Sequence, residues 1–588
     1  MCGIIGYIGN KNAVPIVLDG LKKLEYRGYD SFGIGILNGS GITVKKEVGK
    51  ISEISSNSEI NNIEGNVAVG HSRWSTHGKV TKENAHPHLS NNGKIAVVHN
   101  GIIENYQELK KFLISNGFKF YSETDTEVIP NLIEFYMKEN NFVDAVKKAI
   151  GQLEGSYALV MIYENENQLV AVRHESPLVI GVGDSEFFVA SDIPAFLGHT
   201  KKVIYLDDKD MAIINKKLEI FNLKSDSPVV RPVHTIEWDA EQAKKGKFRH
   251  FMLKEITEQA EVINKAIAQD KKIIYEIADA IKKARGIYFV ACGTAYHACL
   301  AASYKFSKIA KRHVNVALAS EFPNYKDFLI PQSLVIAVSQ SGETADVLAA
   351  IRAAKAKGAK VISIVNVAGS SLARESDQAL LQHAGPEICV LSTKSYTSQL
   401  AILTLLAYAI AGKFEEGRAK LKDLIKYIYY LTSANMQSHI KYLAKRLSSI
   451  KDIYMIGRGL QYPTALEAAL KIKEVSYIHA EGFAGGELKH GSIALIEKGT
   501  PCIVFSSQDT EKEVISNAME LKARGAYIIG VSPKPNEVFD FFIKVREAEE
   551  ANSICQIIPI QILAYQLALL RGCDPDRPRN LSKSVTVK

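Results

Sequence analysis

Cys2, followed by Gly3 and Ile4, is the most reactive arrangement in the chain. A thiol attacks as its thiolate, so it needs a base. Removal of Met1 would leave Cys2 with a free α-amino group, and such amines titrate at about pH 7.7–8.0. Nucleophile and base would then share one residue. The plainer reading is a terminal cysteine packed on an apolar strand, since free Cys is among the most buried residue types.

Three polar stretches within the first 240 residues are candidates to serve that thiol. They are Tyr26-Arg27-Gly28-Tyr29-Asp30-Ser31, Gly70-His71-Ser72-Arg73-Trp74-Ser75-Thr76-His77-Gly78 and His99-Asn100-Gly101. Each is expected where a strand gives way to a loop, a common place for site residues. A thiolate that attacks the side-chain amide of glutamine needs a cation for the α-carboxylate and an anion for the α-amino group. It also needs donors for the oxyanion. Arg73 suits the carboxylate, Asp125 the ammonium, and the Asn100 amide with the Gly101 N–H the oxyanion. Plainer readings stand beside these: a surface ion pair for Arg73, an N-cap before a helix at Val128–Tyr136 for Asp125, and a hairpin turn for Asn100-Gly101.

Together with Glu123-Thr124-Asp125-Thr126-Glu127, these stretches resemble the class II, N-terminal-nucleophile glutamine amidotransferase domain over residues 2 to about 225. The resemblance implies a four-layer α/β/β/α fold in which Cys2 releases ammonia from glutamine. It implies that Arg73, Thr76 and His77 hold the α-carboxylate, Asp125 the α-amino group, and Asn100 with Gly101 the oxyanion.

Residues 226–250 turn polar and read as a linker. Phe248–Ile256 then opens a helical run to about Lys283. The remainder is an internal repeat. Ile287–Gly293 matches Ile453–Gly459, Leu334–Val338 matches Cys502–Phe505, and Gly358–Val365 matches Gly525–Val531. Apolar strands alternating with amphipathic helices predict parallel sheets covered on both faces. The expected units are 251–420 and 421–571, followed by a tail at 572–588.

Ser339-Gln340-Ser341-Gly342-Glu343-Thr344 follows a buried strand and opens a helix at Ala345–Ala356, which suits a phosphate cradle or a simple N-cap turn. Gly293-Thr294 and Ser392-Thr393-Lys394 are expected at the ends of neighbouring strands, beside the same crevice. The loop is not GxxxxGKS/T, which disfavours a nucleoside triphosphate. The second unit has Ser506-Ser507-Gln508-Asp509-Thr510 instead. Its Glu467, Lys471 and Glu474 fall at i, i+4 and i+7 and so share a helix face. Such a face is usually solvated. The loop Gly485–Gly491 presents His490, whose side chain titrates near neutrality. Lys583 stands between hydroxyls in the tail.

This half resembles the sugar isomerase (SIS) double domain, with flavodoxin-like α/β/α units. The whole chain resembles the isomerising, glutamine-dependent fructose-6-phosphate aminotransferase family. Ser339–Thr344, Tyr477–Glu481, Glu487–Gly491 and the C-terminal Arg579-Asn580-Leu581 with Lys583–Val587 carry that likeness. The resemblance implies ammonia transfer to fructose 6-phosphate, giving glucosamine 6-phosphate and glutamate. It implies substrate contacts from Gly293, Thr294, Ser339, Gln340, Ser341, Thr344 and Val390. His490 would open the sugar ring, Lys583 form a Schiff base, and Glu474 move a proton between C1 and C2. Lys471 and Glu467 would support it. Trp74 and the C-terminal segment would gate an ammonia passage, and His490 would reach a neighbouring subunit's site in a homodimer. No metal or redox cofactor is implied. Three positions depart from the family's habit: Phe32 and Ala295 where small or hydroxyl residues are usual, and Ser492 where Pro is usual.

Composition narrows the partners. Net charge is +8 over 588 residues without a dense Lys/Arg block, which argues for small molecules rather than nucleic acid. Seven cysteines show no CxxC pair, so reduced thiols in a cytoplasmic setting are expected. The longest apolar run, near 401–412, is too short to span a bilayer, so no membrane partner is expected. Other amidotransferase chemistries lack their signatures: no Ser-Gly-Gly ATP loop, no acidic ribose-phosphate loop, no iron–sulfur cysteine cluster.

Overall fold

Gly3–Ile8 lies antiparallel between Val67–Arg73 and Phe187–Ala190, so the residue after Cys2 begins a central strand. In the computed structural model, which describes residues 2–54, 59–75, 77–236 and 244–586, this strand belongs to an eight-stranded antiparallel sheet. A seven-stranded antiparallel sheet faces it, in which Gly155–Tyr163 pairs with Ile95–Ile103, the strand next to one edge. Ile4 and Val69 of the first sheet pack on Ala96, Val98, Ala158 and Val160 of the second. The second sheet's outer face, with Val97, Leu159 and Val170, is covered by helices Tyr106–Ser115, Val128–Tyr136 and Phe142–Ile150.

Helix Ala13–Lys23 covers the other side of the first sheet and is capped by the Asn12 side chain, which accepts from Val14 N–H at 3.2 Å. The helix lies close because Gly70 has no side chain: a Cβ there would stand 2.5 Å from Val17 Cγ1. The result is the expected four layers, α/β/β/α. Strands Ser227–Pro228 and Val233–Thr235, within the stretch read as linker, extend these sheets. Residues 343–345 and the C-terminal segment from Ser582 group with this unit.

The second unit holds two five-stranded parallel sheets with one strand order. Asn315–Leu318, Gly286–Ala291, Ser333–Ser339, Lys360–Val365 and Gln378–Leu381 form the first. His479–Ala484, Asp452–Gly457, Pro501–Phe505, Tyr527–Ser532 and Phe541–Lys544 form the second. Both follow the flavodoxin-like order 2-1-3-4-5. One apolar core joins both repeats through helices Gly293–Lys305, Lys394–Ile410, Gln461–Ser476 and Asn552–Leu570.

The helical run after the linker is three helices, Phe251–Thr257, Gln259–Ala266 and Lys271–Lys283. Among the described residues the helical segment long and apolar enough to cross a membrane is Glu549–Leu570, not the run near 401–412, and 89% of its apolar window is buried in the protein. Its apolar character on all sides is that of a core helix.

Candidate active site

Cys2 precedes the central strand, and its half-buried thiol faces the chain leaving the neighbouring strand. Trp74 N–H donates to Sγ at 3.2 Å, and Sγ lies 3.4 Å from Trp74 O. Burial pushes the Cys2 thiol pKa up; the Trp74 N–H and the Arg73 charge pull it back, and Asp30 opposes them. The Cys2 carbonyl oxygen accepts from Asn100 Nδ2 at 2.9 Å and Arg27 Nε at 3.3 Å. Arg27 is in turn held by Asp192 at 3.1 Å. Gly28 permits this close approach, because a Cβ there would lie 2.7–2.8 Å from the Ser72, Arg73 and Trp74 backbone. Asp30 closes the turn: its N–H donates to Arg73 O, and its carboxylate accepts from Ser75 N–H at 2.8 Å.

The expectation that each polar stretch stands at a strand end is corrected here. His71, Ser72 and Arg73 are still in their strand, and Asn100 and Gly101 are inside Ile95–Ile103, paired with Ala158 and Tyr157. The hairpin-turn reading of Asn100-Gly101 therefore fails. Gly101 has φ +132°, and a Cβ on it would stand 1.9 Å from Ser156 O, so only glycine fits. Asp125 is not an N-cap; its buried carboxylate accepts from Ile103 N–H at 2.8 Å. Arg73 is buried rather than a surface ion pair. Its guanidinium donates to Lys79 O and Gly78 O at 3.1 Å and to His77 O, bracing the loop it would share with a substrate carboxylate. Burial lowers its pKa, against the charges of Cys2, Asp30 and Asp125. Thr76 lies outside the described residues. His77 packs edge-on to Tyr106.

Behind Asn100 lies a group of side chains that the motifs contained in part, as His71, His99, Thr124 and Thr126, but gave no role. His71 Nε2 is 2.9 Å from His99 O and 3.1 Å from Asn100 Oδ1. Its Nδ1 is 3.1 Å from His86 Nδ1, and His86 Nε2 is 2.9 Å from Thr126 Oγ1. His99 Nδ1 reaches the same hydroxyl at 2.9 Å; His88, 3.0 Å from Thr124 Oγ1, packs edge-on to His86. Burial drives all four rings below the ordinary histidine range, His71 to about 3. The only sequence signal was the density of histidines between 71 and 99.

In the second unit the face expected to be solvated is buried. Lys471 is fully enclosed, 2.7 Å from Glu474 and 3.4 Å from Glu467. Lys471 Nζ also donates to Thr294 Oγ1 at 3.0 Å and Ser392 O at 3.3 Å. Burial lowers its pKa, but the two carboxylates outweigh that and raise it. Glu467 takes Thr294 Oγ1 at 3.1 Å and His297 Nδ1 at 2.8 Å. His297 was not anticipated; it lies three residues after Thr294, on the same helix. The cluster thus joins a helix of each repeat.

Ser339 ends its strand, and its Oγ accepts from Gly342 N–H at 3.0 Å. Gly342, at φ +69°, packs where a Cβ would be 2.1 Å from Ser370 Oγ. Gln340 O accepts from Asn366 N–H at 3.2 Å. Gly293 opens its helix at φ +52°. Ser392-Thr393-Lys394 does not end a strand; it is a loop entering helix Lys394–Ile410. Glu387 holds it through Thr393 and Ser395 N–H. Val390 is buried, its N–H on Asp576 O at 3.2 Å. His490 stands on the exposed turn Glu487–His490, and among the described residues no hydrogen bond ties it to the Lys471 cluster. Lys583 is half-buried, in the segment whose Val585 O accepts from Ala345 N–H at 3.0 Å. Phe32 is buried in strand Ser31–Asn38, Ala295 is buried in helix Gly293–Lys305, and Ser492 follows the His490 turn.

Fold and site together define a glutamine amidotransferase domain followed by a sugar isomerase double domain. Family models agree: the SIS domain matches residues 280–409 and 446–571, and the glutamine amidotransferase domain matches 71–198. The chain is 47% identical to glutamine–fructose-6-phosphate aminotransferase [isomerizing] of Thermococcus kodakarensis, with all of both chains covered. It is 46% identical to that of Pyrococcus horikoshii and 43% to that of Clostridium perfringens, again with full coverage of both. Among solved structures, the C-terminal domain of glucosamine-fructose-6-phosphate aminotransferase from Francisella tularensis is similar at 35% identity and TM-score 0.53. That match covers 57% of this chain and all of that one. Tagatose-6-phosphate ketose/aldose isomerase from Escherichia coli, at 18% identity and TM-score 0.50, shares the fold over 56% of this chain and 95% of its own. The chain belongs to the isomerising glutamine–fructose-6-phosphate aminotransferase family.

Proposed function

We propose that the chain takes the amide nitrogen of glutamine and fructose 6-phosphate to glucosamine 6-phosphate and glutamate, with roles divided between its two centres. The full-length likeness to the family carries the reaction; the placement of Asn100 beside Cys2 and the buried Glu467–Lys471–Glu474 cluster support the roles.

Cys2, freed of Met1, attacks the glutamine side-chain amide, and its α-amine takes the thiol proton. The oxyanion is met by Asn100 Nδ2 and the Gly101 N–H. Asp125 receives the α-ammonium; Arg73, Thr76 and His77 receive the α-carboxylate. Water ends the acyl-enzyme as glutamate. The ammonia must reach the ketose unprotonated, with Trp74 as gate. At the sugar centre Ser339, Gln340, Ser341 and Thr344 hold the phosphate, and Gly293, Thr294 and Val390 border the sugar. His490 opens the ring and Lys583 forms the Schiff base. Glu474, beside an ammonium that stays charged, carries the proton between C1 and C2, with Lys471 and Glu467 in support. His490 serves the site of a second copy of this chain, in a cytoplasmic homodimer.

Cys2→Ala should abolish glutamine hydrolysis and leave sugar-phosphate isomerisation measurable; full hydrolysis would overturn the role of Cys2. Borohydride in the presence of fructose 6-phosphate should label Lys583, and label on another lysine would remove that assignment.

A further inference from the structure

An oxyanion site that uses a side-chain amide has a problem of aim. The two ends of a carboxamide are nearly the same shape, one a donor and the other an acceptor. If the Asn100 amide turned over, an oxygen would face the reacting centre in place of an N–H. Something must distinguish the ends, and the groups behind Asn100 do so.

We propose that His71, His86 and Thr126 form a one-way hydrogen-bond chain that fixes which end of the Asn100 carboxamide faces Cys2, and are positioning residues for glutamine hydrolysis. The proposal rests on the reading of Asn100 as an oxyanion donor.

The direction follows from two groups that can only accept. His99 O lies 2.9 Å from His71 Nε2, so Nε2 must carry the hydrogen. The same N–H faces Asn100 Oδ1 at 3.1 Å, which leaves Nδ2 to donate to Cys2 O at 2.9 Å. In a neutral ring, His71 Nδ1 is then a bare lone pair. It lies 3.1 Å from His86 Nδ1, which must therefore donate. His86 Nε2 is left as an acceptor, and the Thr126 hydroxyl supplies its proton at 2.9 Å. Thr126 Oγ1 in turn accepts from His99 Nδ1–H at 2.9 Å. In that neutral ring the last lone pair falls on the buried His99 Nε2, which makes no well-formed hydrogen bond and lies beside the Ser156 carbonyl.

Reversing any link reverses the rest. A bare His71 Nε2 would face His99 O, and a turned amide would set Asn100 Oδ1 against Cys2 O. Both contacts would oppose acceptor to acceptor. The chain requires neutral rings, and burial, which holds His71 at about 3 and keeps the other rings below the ordinary histidine range, supplies that condition. The four positions, His71, His86, Asn100 and Thr126, come from two strands and two loops of one unit, so no local spacing in the sequence displays them.

Thr126→Val keeps the shape and removes the hydroxyl. In the full-length enzyme it should lower kcat for glutamine hydrolysis by about 10–100-fold, less than or equal to the loss of one oxyanion donor. KM for glutamine should stay within about twofold. Thr126→Ser should recover kcat to within about fivefold. The decisive measurement is a cycle with Asn100→Ala: once the amide is gone, Thr126→Val should cost nothing further. Should Thr126→Val fail to fold, His71→Gln, which keeps an N–H for Asn100, and His71→Leu, which does not, carry the same comparison, with only the second losing kcat. An undiminished kcat in Thr126→Val, or in His71→Leu, overturns the chain, as does full additivity with Asn100→Ala. Hydrolysis that survives Cys2→Ala is a separate failure, of the glutaminase reading itself.

Discussion

The two reactive regions bury polar groups in opposite ways. Behind Asn100, set back from the buried charges of Arg73 and Asp125, the enclosed groups are neutral: His71, His86 and His99 linked through the Thr126 hydroxyl, with His88 on Thr124. Around Lys471 the enclosed groups are charged, with Glu467 and Glu474 on an ammonium. Neutral chains hold a donor in a fixed direction without adding field of their own, which suits a site that must aim an amide. A buried ion pair keeps proton donors and acceptors loaded inside a dry site, which suits isomerisation. It also carries a liability, because each charge depends on its partner.

That liability makes the largest expected effect. Lys471→Met leaves the enclosed Glu467 and the partly exposed Glu474 without a counter-charge and should destabilise the second unit by about 3–5 kcal/mol. Chemical denaturation, with isomerisation assayed alongside, checks it; a variant of wild-type stability would mean that the cluster is wetter than its burial suggests.

Acidification should break the comparison from the other side. His71, with a folded pKa near 3 against about 6.5 unfolded, binds more protons unfolded than folded between those values. Its contribution is present above about pH 6.5 and is lost as pH falls toward 3. At pH 5 the loss is about 2 kcal/mol for this ring alone, and the lowered pKa values of His86 and His88 act in the same direction. Lys471, whose pKa is raised, keeps its proton throughout that window. Glutamine hydrolysis and the first unit's folding should therefore fail first on acidification. Hydrogen exchange at pH 8 and pH 5 reads this out, and equal loss of protection in both units would contradict it.

The smallest effect is at the edge of the charged cluster. His297→Asn replaces the ring that meets Glu467 at 2.8 Å and should cost about 0.5–1.5 kcal/mol with little change in sugar-phosphate KM. A loss as large as that of Lys471→Met would place His297 among the reacting groups.

Much of this was legible beforehand, for physical reasons. Alternating β-branched runs and amphipathic helices specify parallel sheets whatever their surroundings, and the duplicated order of those runs specified two similar units. The helical spacing of Glu467, Lys471 and Glu474 put them on one face, and Cys2 stood at the head of an apolar strand. The solvated face assigned to that triplet was wrong because periodicity reports which residues share a side and not what covers it. Thr294 and Ser392, from the other repeat, decide that.

Asn100-Gly101 shows the same limit. As a dipeptide it favours a turn, yet its strand continues to Ile103 because Gly155–Tyr163 pairs along its whole length. A ladder of long-range hydrogen bonds overrides a two-residue preference. The sequence by itself settled the elements and the repeat and named the candidate side chains, since these depend on local pattern. Tertiary structure alone decided the directions: which carbonyls His71 must satisfy, which end of Asn100 faces Cys2, and which charges lose their water. Those depend on atoms brought together from positions 28 to 177 residues apart, and no local pattern encodes them.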